Sequence, residues 1–479
     1  MTVFIERVTA MGKSGIRFYY KNVTSGVIGD SDGISSDQFK ELAGLTAPVI
    51  KQVNQQRKEG KTPYRDLPYN SEISKRVKEI AGQIKGRCEN FVVLGIGGSA
   101  LGNIALMTSL KPYTNNIDDK RRRGPRLFVF DNVDPDQFGA FLDWAGDSLE
   151  NTFFNVISKS GRTSETEAQM LIVNEMLSEK LGPDGVKNQV IATTDANTGT
   201  LRKIADEFGL RTLEVPDGVG GRFTVLSAVG LLMAAVAEMD IDALLAGARD
   251  MDKRVSDEDF FANPAAVNAA INYHYYNNGK RNSVMMPYSY ALKDFADWYR
   301  QLWAESLGKA VDLNGKQVNV GPTPIKALGT TDQHSQVQLY REGPNDKLFT
   351  LLQCDNFERN LVMGPAPDCA GELGFLAGKE MAELLINEKI ATEYALLYDK
   401  RPCITVFFDE VNAYTVGQFI YLFEVTTSII GGLFGINPYD QPAVELGKEA
   451  TFALMGKPEF AELAEKIKPV TNIDEDYVL

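Results

Sequence analysis

The residues of this chain best suited to chemistry stand in five short segments. In the first, Ser158-Lys159-Ser160-Gly161-Arg162-Thr163-Ser164-Glu165-Thr166, hydroxyls, two cations and a glycine follow an apolar run at 153–157. The run reads as a buried strand, and 165–181 reads as a helix with Met170, Ile172, Val173 and Leu177 on its inner face. A strand, a hydroxyl-rich turn and a helix start make an anion site. Unpaired helix amides point outward, the dipole favours negative charge, and several hydroxyls can donate together. One hydroxyl would be an ordinary N-cap; this many, with two cations, point to phosphate or sulfate.

The second segment, Gly95-Ile96-Gly97-Gly98-Ser99-Ala100-Leu101-Gly102, follows a strand and opens a helix. It departs from the dinucleotide fingerprint and lacks the Lys-Ser/Thr ending of a P-loop. A turn that lets a sugar or phosphate approach the backbone fits it, with tight packing as the alternative. In the third, Gly218-Val219-Gly220-Gly221-Arg222-Phe223-Thr224, glycines clear the space around one arginine before an apolar helix. That favours an arginine aimed at a ligand over a surface one.

The fourth, Asp297 to Lys309, is helical, with Phe295, Trp298, Tyr299, Leu302 and Ser306 along one stripe. Glu305 falls on its margin and Gln301 one turn earlier on the same side. Such a glutamate either reaches into water or is held partly out of it to serve as a general base. The fifth, Tyr439-Asp440-Gln441-Pro442-Ala443-Val444-Glu445-Leu446-Gly447-Lys448, starts a helix with proline in its first turn. Lys448 shares a face with Val444, Phe452 and Met455, where a lysine ordinarily snorkels. Of two histidines, His274 sits in a helical run and reads as structural. His334, in Gly329-Thr330-Thr331-Asp332-Gln333-His334-Ser335-Gln336, lies in a polar loop of the kind that carries proton-transfer residues.

Elements must bring these segments together. The chain has 479 residues, 44% hydrophobic and 24% charged, which fits a soluble protein of two domains. Sixty-four acidic residues against fifty basic give a net charge of -14, arguing against nucleic-acid or anionic-membrane binding. Cysteines 88, 354, 369 and 403 form no CxxC pair and no HExxH occurs, so neither a disulfide framework nor a metal site is expected. The start lacks a signal-peptide apolar region, and the stretch 223–237 is too short to span a bilayer. The expected location is cytoplasmic.

From residue 91, strand-like runs at 91–95, 127–131, 153–158, 190–194 and 211–215 alternate with helical runs near 99–110, 135–145, 164–182, 198–208 and 223–239. That alternation implies a parallel sheet with helices on both faces and ligands beyond the strands' carboxyl ends. A charge-rich segment at 240–263 reads as a crossing. A second series follows, with strands at 283–287, 317–320, 348–354 and 403–408 and helices near 291–307, 372–398, 411–430 and 441–455.

Taken together, the five segments resemble the glucose-6-phosphate isomerase (phosphoglucose isomerase) family over about residues 45–455. The segments at 217–224 and 439–448 correspond to the family's two diagnostic motifs. The resemblance implies two sugar-isomerase (SIS) type α/β domains, each a parallel sheet flanked by helices, at 47–240 and 241–440. An N-terminal segment (1–46) and a C-terminal helical segment (441–479) complete the chain. It implies reversible conversion of glucose 6-phosphate to fructose 6-phosphate through ring opening and an enediolate, in glycolysis and gluconeogenesis. By motif, Glu305 would be the base, Arg222 would stabilise the enediolate, and His334 and Lys448 would assist ring opening. Gly98, Gly221, Gln301 and Gln441 would line the sugar, and Ser99, Ser158, Lys159, Ser160, Thr163 and Thr166 would hold the phosphate. No cofactor or metal is implied. A homodimer is, with His334 reaching the neighbouring subunit's site.

Arg162 departs from the family, standing where a hydroxyl residue is frequent, and Ser160 replaces a common threonine. Gln441 favours glucose over dual glucose/mannose specificity. A non-catalytic sugar-phosphate sensor would keep the 158–166 loop but has no reason to keep Glu305, Arg222, His334 and Lys448 in their motifs. An amino-sugar isomerase would normally bring a glutaminase domain, for which this chain has no obvious room.

Overall fold

The computed structural model describes residues 15–479 except Ser160 and Arg162. They fall into two compact units, one running to Pro438 and a helical one, Tyr439–Leu479. Twelve strands are present among the described residues: β1 (Ile16–Tyr19), β2 (Asn90–Leu94), β3 (Arg126–Phe130), β4 (Thr152–Ser158), β5 (Val190–Thr194), β6 (Arg211–Glu214), β7 (Asn282–Tyr288), β8 (Lys309–Val311), β9 (Gln317–Val320), β10 (Thr323–Lys326), β11 (Lys347–Asn356) and β12 (Cys403–Glu410).

The first sheet has the order β3-β2-β4-β5-β6 and is wholly parallel. Its central strands are buried on both faces, as expected of continuous apolar runs such as Phe91-Val92-Val93-Leu94 and Phe153-Phe154-Asn155-Val156-Ile157. The helices Pro135–Ala145, Ser164–Leu181 and Thr200–Phe208 supply Phe138, Phe141, Met170, Val173, Leu177, Leu201 and Ala205 to the core on one face. The chain leaves β2 toward β3 on one side, then returns to place β4 on the other. The carboxyl ends of β2 and β4 therefore flank the crevice where an open α/β sheet binds ligands.

The second sheet has the order β1-β12-β11-β7-β10, with β1 antiparallel at one edge and the rest parallel. The 1–46 segment thus supplies an edge strand. The 317–320 run does not enter this sheet. It pairs with β8 in a separate antiparallel ribbon, and the sheet position beside β7 goes to β10. Its alternating Gln-Val-Asn-Val is only half buried, too polar for a strand covered on both faces.

Two expected helices are shorter than their sequence pattern. The 223–239 stretch begins as a single turn, Gly221–Phe223, and becomes helical only at Ala228–Val236, where the Ser227 hydroxyl caps Val229 N. The 372–398 stretch is α-helical only from Met381; it opens as part of the 3-10 turn Asp368–Phe375, and Gly378, at φ +73°, stands in the left-handed region before the α-helix. The charge-rich crossing segment is in fact a core helix, Ile241–Val255, packed on the long helix Ala413–Phe434. By length and composition the latter could cross a membrane, yet its apolar window is 89% buried inside the protein.

That helix carries two polar features. Tyr421 donates to Asp252 Oδ1 at 2.7 Å, joining Arg57 (2.8 Å to each oxygen), Arg65 (3.0 Å) and Tyr69 (2.7 Å) around one buried carboxylate. Glu424, one turn on, is fully buried, and neither carboxyl oxygen has a hydrogen-bond partner among the described residues. Burial raises its pKa well above the usual carboxylate range, so it is carried as a neutral acid.

Candidate active site

The loop after β2 and the turn before the 228–236 helix meet at two glycines. A Cβ on Gly98 would lie 2.1 Å from the Gly221 carbonyl oxygen, so only glycine allows this approach. Thr224 Oγ1 fastens the junction, donating to Gly221 O at 2.7 Å and to Gly98 O at 3.2 Å. The contact sets the direction of the next residue, Arg222, whose side chain is 2% exposed.

Arg222 runs to the end of the helix Lys293–Leu307. Its Nη1 donates to Glu305 Oε2 at 3.0 Å, Nε to Ser306 Oγ at 2.9 Å, and Nη2 to the Pro438 carbonyl at 3.1 Å. Gln301, one turn before Glu305, reaches its other oxygen with Nε2 at 3.4 Å. Lys309 closes the helix end by donating to the carbonyls of Glu305 (2.7 Å) and Ser306 (3.0 Å), a cation where the helix dipole is negative. Glu305 keeps 34% of its side chain exposed beside the buried guanidinium. The carboxylate is open to a ligand, while the cation that pairs with it is withheld from water.

The 158–166 loop follows β4. Ser158 Oγ accepts from Gly161 N at 3.1 Å and donates to Thr163 Oγ1 at 3.2 Å, which curls the loop. Gly161 has φ +57°, and a Cβ there would come within 2.5 Å of Thr200 N. Thr163 precedes the helix Ser164–Leu181 without a side-chain capping bond. Thr166 Oγ1 is buried with no hydrogen-bond partner among the described residues. Lys159 Nζ donates to the carbonyls of Pro216 (3.1 Å) and Val219 (3.4 Å), tying this loop to the stretch that leads into Arg222. Ser160 and Arg162 lie outside the described residues.

Of the remaining expected residues, Ser99 is half-buried at the end of the Gly97–Ser99 turn. His334 ends the short helical turn Thr331–His334, exposed and with no side-chain hydrogen bond among the described residues. Gln441 and Lys448 belong to the C-terminal unit. There Gln441 precedes the Pro442–Val444 turn, and Lys448 is exposed and paired with Glu445 at 2.8 Å. His274 is structural, edge-on to Tyr275 at 5.3 Å, its pKa lowered by burial.

Gly98, Gly221, Arg222, Gln301 and Glu305 therefore converge in the first unit. Ser306 and Lys309 join them without having been picked out as site residues. Ser306 left a trace in the sequence, as the one small polar residue on a stripe of aromatic and aliphatic side chains. The Pro438 carbonyl left none. No cluster of metal-ligating side chains is found among the described residues.

The fold and this site define an α/β protein with a carboxylate–guanidinium pair built beside the switch point of a parallel sheet. The phosphoglucose isomerase family model matches residues 70–472. The chain is 45% identical over 437 residues to the glucose-6-phosphate isomerase of Carboxydothermus hydrogenoformans, covering 91% of this chain and 93% of that one. It is 43% identical over 396 residues to that of Rubrobacter xylanophilus, covering 82% and 88%. Among solved structures, a hypothetical protein from Thermus thermophilus superposes with TM-score 0.80 at 32% identity, covering 92% of this chain and 100% of that one. A glucose-6-phosphate isomerase from Chlamydia trachomatis shares the fold with TM-score 0.79 at 20% identity, covering 96% and 93%. The chain belongs to the phosphoglucose isomerase family.

Proposed function

We propose that this chain interconverts glucose 6-phosphate and fructose 6-phosphate. The observation that carries the reading is the Glu305–Arg222 pair at 3.0 Å, a half-open carboxylate against a buried cation, in a chain of this family. Moving a proton between C1 and C2 needs a base beside a carbon-bound hydrogen and a fixed positive charge where the oxyanion develops. Glu305 takes the proton from C2 of the open-chain aldose and returns it to C1. Arg222 faces the enediolate oxygen as it forms. Gln301 and Gln441 line the sugar, with Gly98 and Gly221 offering backbone at close range.

His334 and Lys448 move the ring-opening proton. Ser99, Ser158, Lys159, Ser160, Thr163 and Thr166 hold the phosphate, and the unmet hydroxyl of Thr166 supports that reading. Binding energy at the phosphate orients the distant reacting end. The chemistry needs neither a redox cofactor nor a metal. A coupled assay with fructose 6-phosphate tests the proposal. Turnover undiminished by a chelator is expected, with mannose 6-phosphate a far poorer substrate. No glucose 6-phosphate formation would sink it.

We further read the working form as a cytoplasmic homodimer of glycolysis and gluconeogenesis. His334 is exposed in the single chain, and the 357–380 segment that follows β11 presents Leu361, Val362 and Phe375 at 60%, 64% and 67% exposure. Apolar surface of that kind suits a second copy. If His334 serves the neighbouring site, mixing His334→Ala with Glu305→Gln chains should restore up to about one quarter of wild-type activity, since half of random dimers are mixed and each has one intact site. No recovery would place each site within one chain.

A further inference from the structure

We propose that Ser306 is a positioning residue for the isomerisation, aiming Arg222 at the developing oxyanion. The inference rests on the enediolate role of Arg222 given above. Consecutive helix positions point about 100° apart, so Glu305 and Ser306 reach one guanidinium from the same turn at different nitrogens. Glu305 Oε2 meets Nη1 at 3.0 Å, and Ser306 Oγ meets Nε at 2.9 Å. The Pro438 carbonyl, 3.1 Å from Nη2, gives a third point. Three anchors at three nitrogens fix both the plane of the group and its rotation within that plane. An arginine without them would explore many rotamers.

The hydroxyl is free to play this part because it is not used as helix hydroxyls usually are. In the Ala413–Phe434 helix, Thr426, Thr427 and Ser428 each donate to the carbonyl four residues earlier. Ser306 makes no such bond among the described residues. Its side-chain hydrogen bond is the one it accepts from Arg222. The residue is wholly buried, and Arg222 is 3% exposed, so water has no access with which to replace the lost partner.

The Ser306 bond touches neither the phosphate loop nor Gln301, so its loss should appear in turnover more than in substrate affinity. A hydrogen bond to a charged group corresponds to about 10- to 100-fold. Ser306→Ala, made in the full chain, is therefore expected to lower kcat about 10- to 100-fold and leave KM for fructose 6-phosphate within about threefold. Inhibition by 5-phosphoarabinonate, whose carboxylate mimics the planar enediolate, should weaken in parallel with kcat. Ser306→Thr, which keeps a hydroxyl at the same carbon, should restore turnover to within about threefold of wild type.

The companion variant is Arg222→Ala. A near-normal kcat in Ser306→Ala alongside an inactive Arg222→Ala would overturn the role of Ser306 and leave that of Arg222 standing. A near-normal Arg222→Ala would overturn both. A Ser306→Ala loss confined to KM or accompanied by a collapse of thermal stability, with no rescue by threonine, would make the serine a packing residue and end the proposal.

Discussion

Glu305→Gln is expected to lose about 10²- to 10⁴-fold in kcat, the range that general-base catalysis contributes. The exchange of substrate carbon-bound hydrogen with solvent should fall with it. The substitution is nearly isosteric. The glutamine carbonyl can still accept from Arg222 Nη1, which lies 3.0 Å from Oε2, and its NH2 can donate to Gln301 once that side chain turns its carbonyl oxygen in place of the Nε2 that faces Glu305 Oε1. What it removes is the ability to take a proton. Affinity for a non-reacting sugar phosphate, measured by calorimetry, should therefore stay within about threefold, because phosphate and hydroxyl contacts are unchanged. Retention of a tenth or more of wild-type turnover would place the base elsewhere.

The second large effect is on stability. Asp252 accepts from Arg57, Arg65, Tyr69 and Tyr421 and joins four elements around one buried carboxylate. Burial alone would raise its pKa. Hydrogen bonds from Tyr421, Arg57 and Tyr69 and the charge of Arg65 outweigh that and lower it to about 2. A carboxyl lowered in the folded state contributes stability that is full above its unfolded pKa of about 3.9 and is lost as pH falls through the folded value. This one group should thus account for about 2–3 kcal/mol lost between about pH 5 and pH 1, about 2 kcal/mol of it between pH 4 and pH 2. Asp252→Asn leaves the fully buried Arg65 guanidinium without its carboxylate and takes one of two from Arg57, which keeps Asp66, at about 3–5 kcal/mol at pH 7. Denaturant midpoints at pH 7 and pH 2 check it: the variant should trail wild type widely at pH 7 and much less at pH 2. An equal gap at both would remove Asp252 from the acid response.

The parallel first sheet was legible in the sequence because its strands are uninterrupted apolar runs between helices of regular period. The Pro135–Ala145 helix falls where its pattern put it. The second sheet was less so. β1 and β10 are four residues each and mix polar with apolar types, and they are strands only because β12 and β7 present edges to them. The Gly98–Gly221 approach and the Arg222–Glu305 pair join residues far apart in the chain. Local pattern could nominate each partner but not the distance between them. The Asp252 knot hid in a segment whose charges looked like solvated linker, since a burial of paired charge and a polar surface helix share one composition.

The antiparallel edge strand bears on how the chain is made. β1 pairs with β12, and Ile16 N donates to Gln418 Oε1, 402 residues further along. At ~5–20 residues per second of synthesis, the first strand waits on the order of 20–80 s for its partner to be translated. The first sheet, complete by Glu214, can form in that interval. The nascent protein therefore passes through a stage with one finished sheet and one unclaimed strand, and the second sheet closes only after more than four hundred residues have been made.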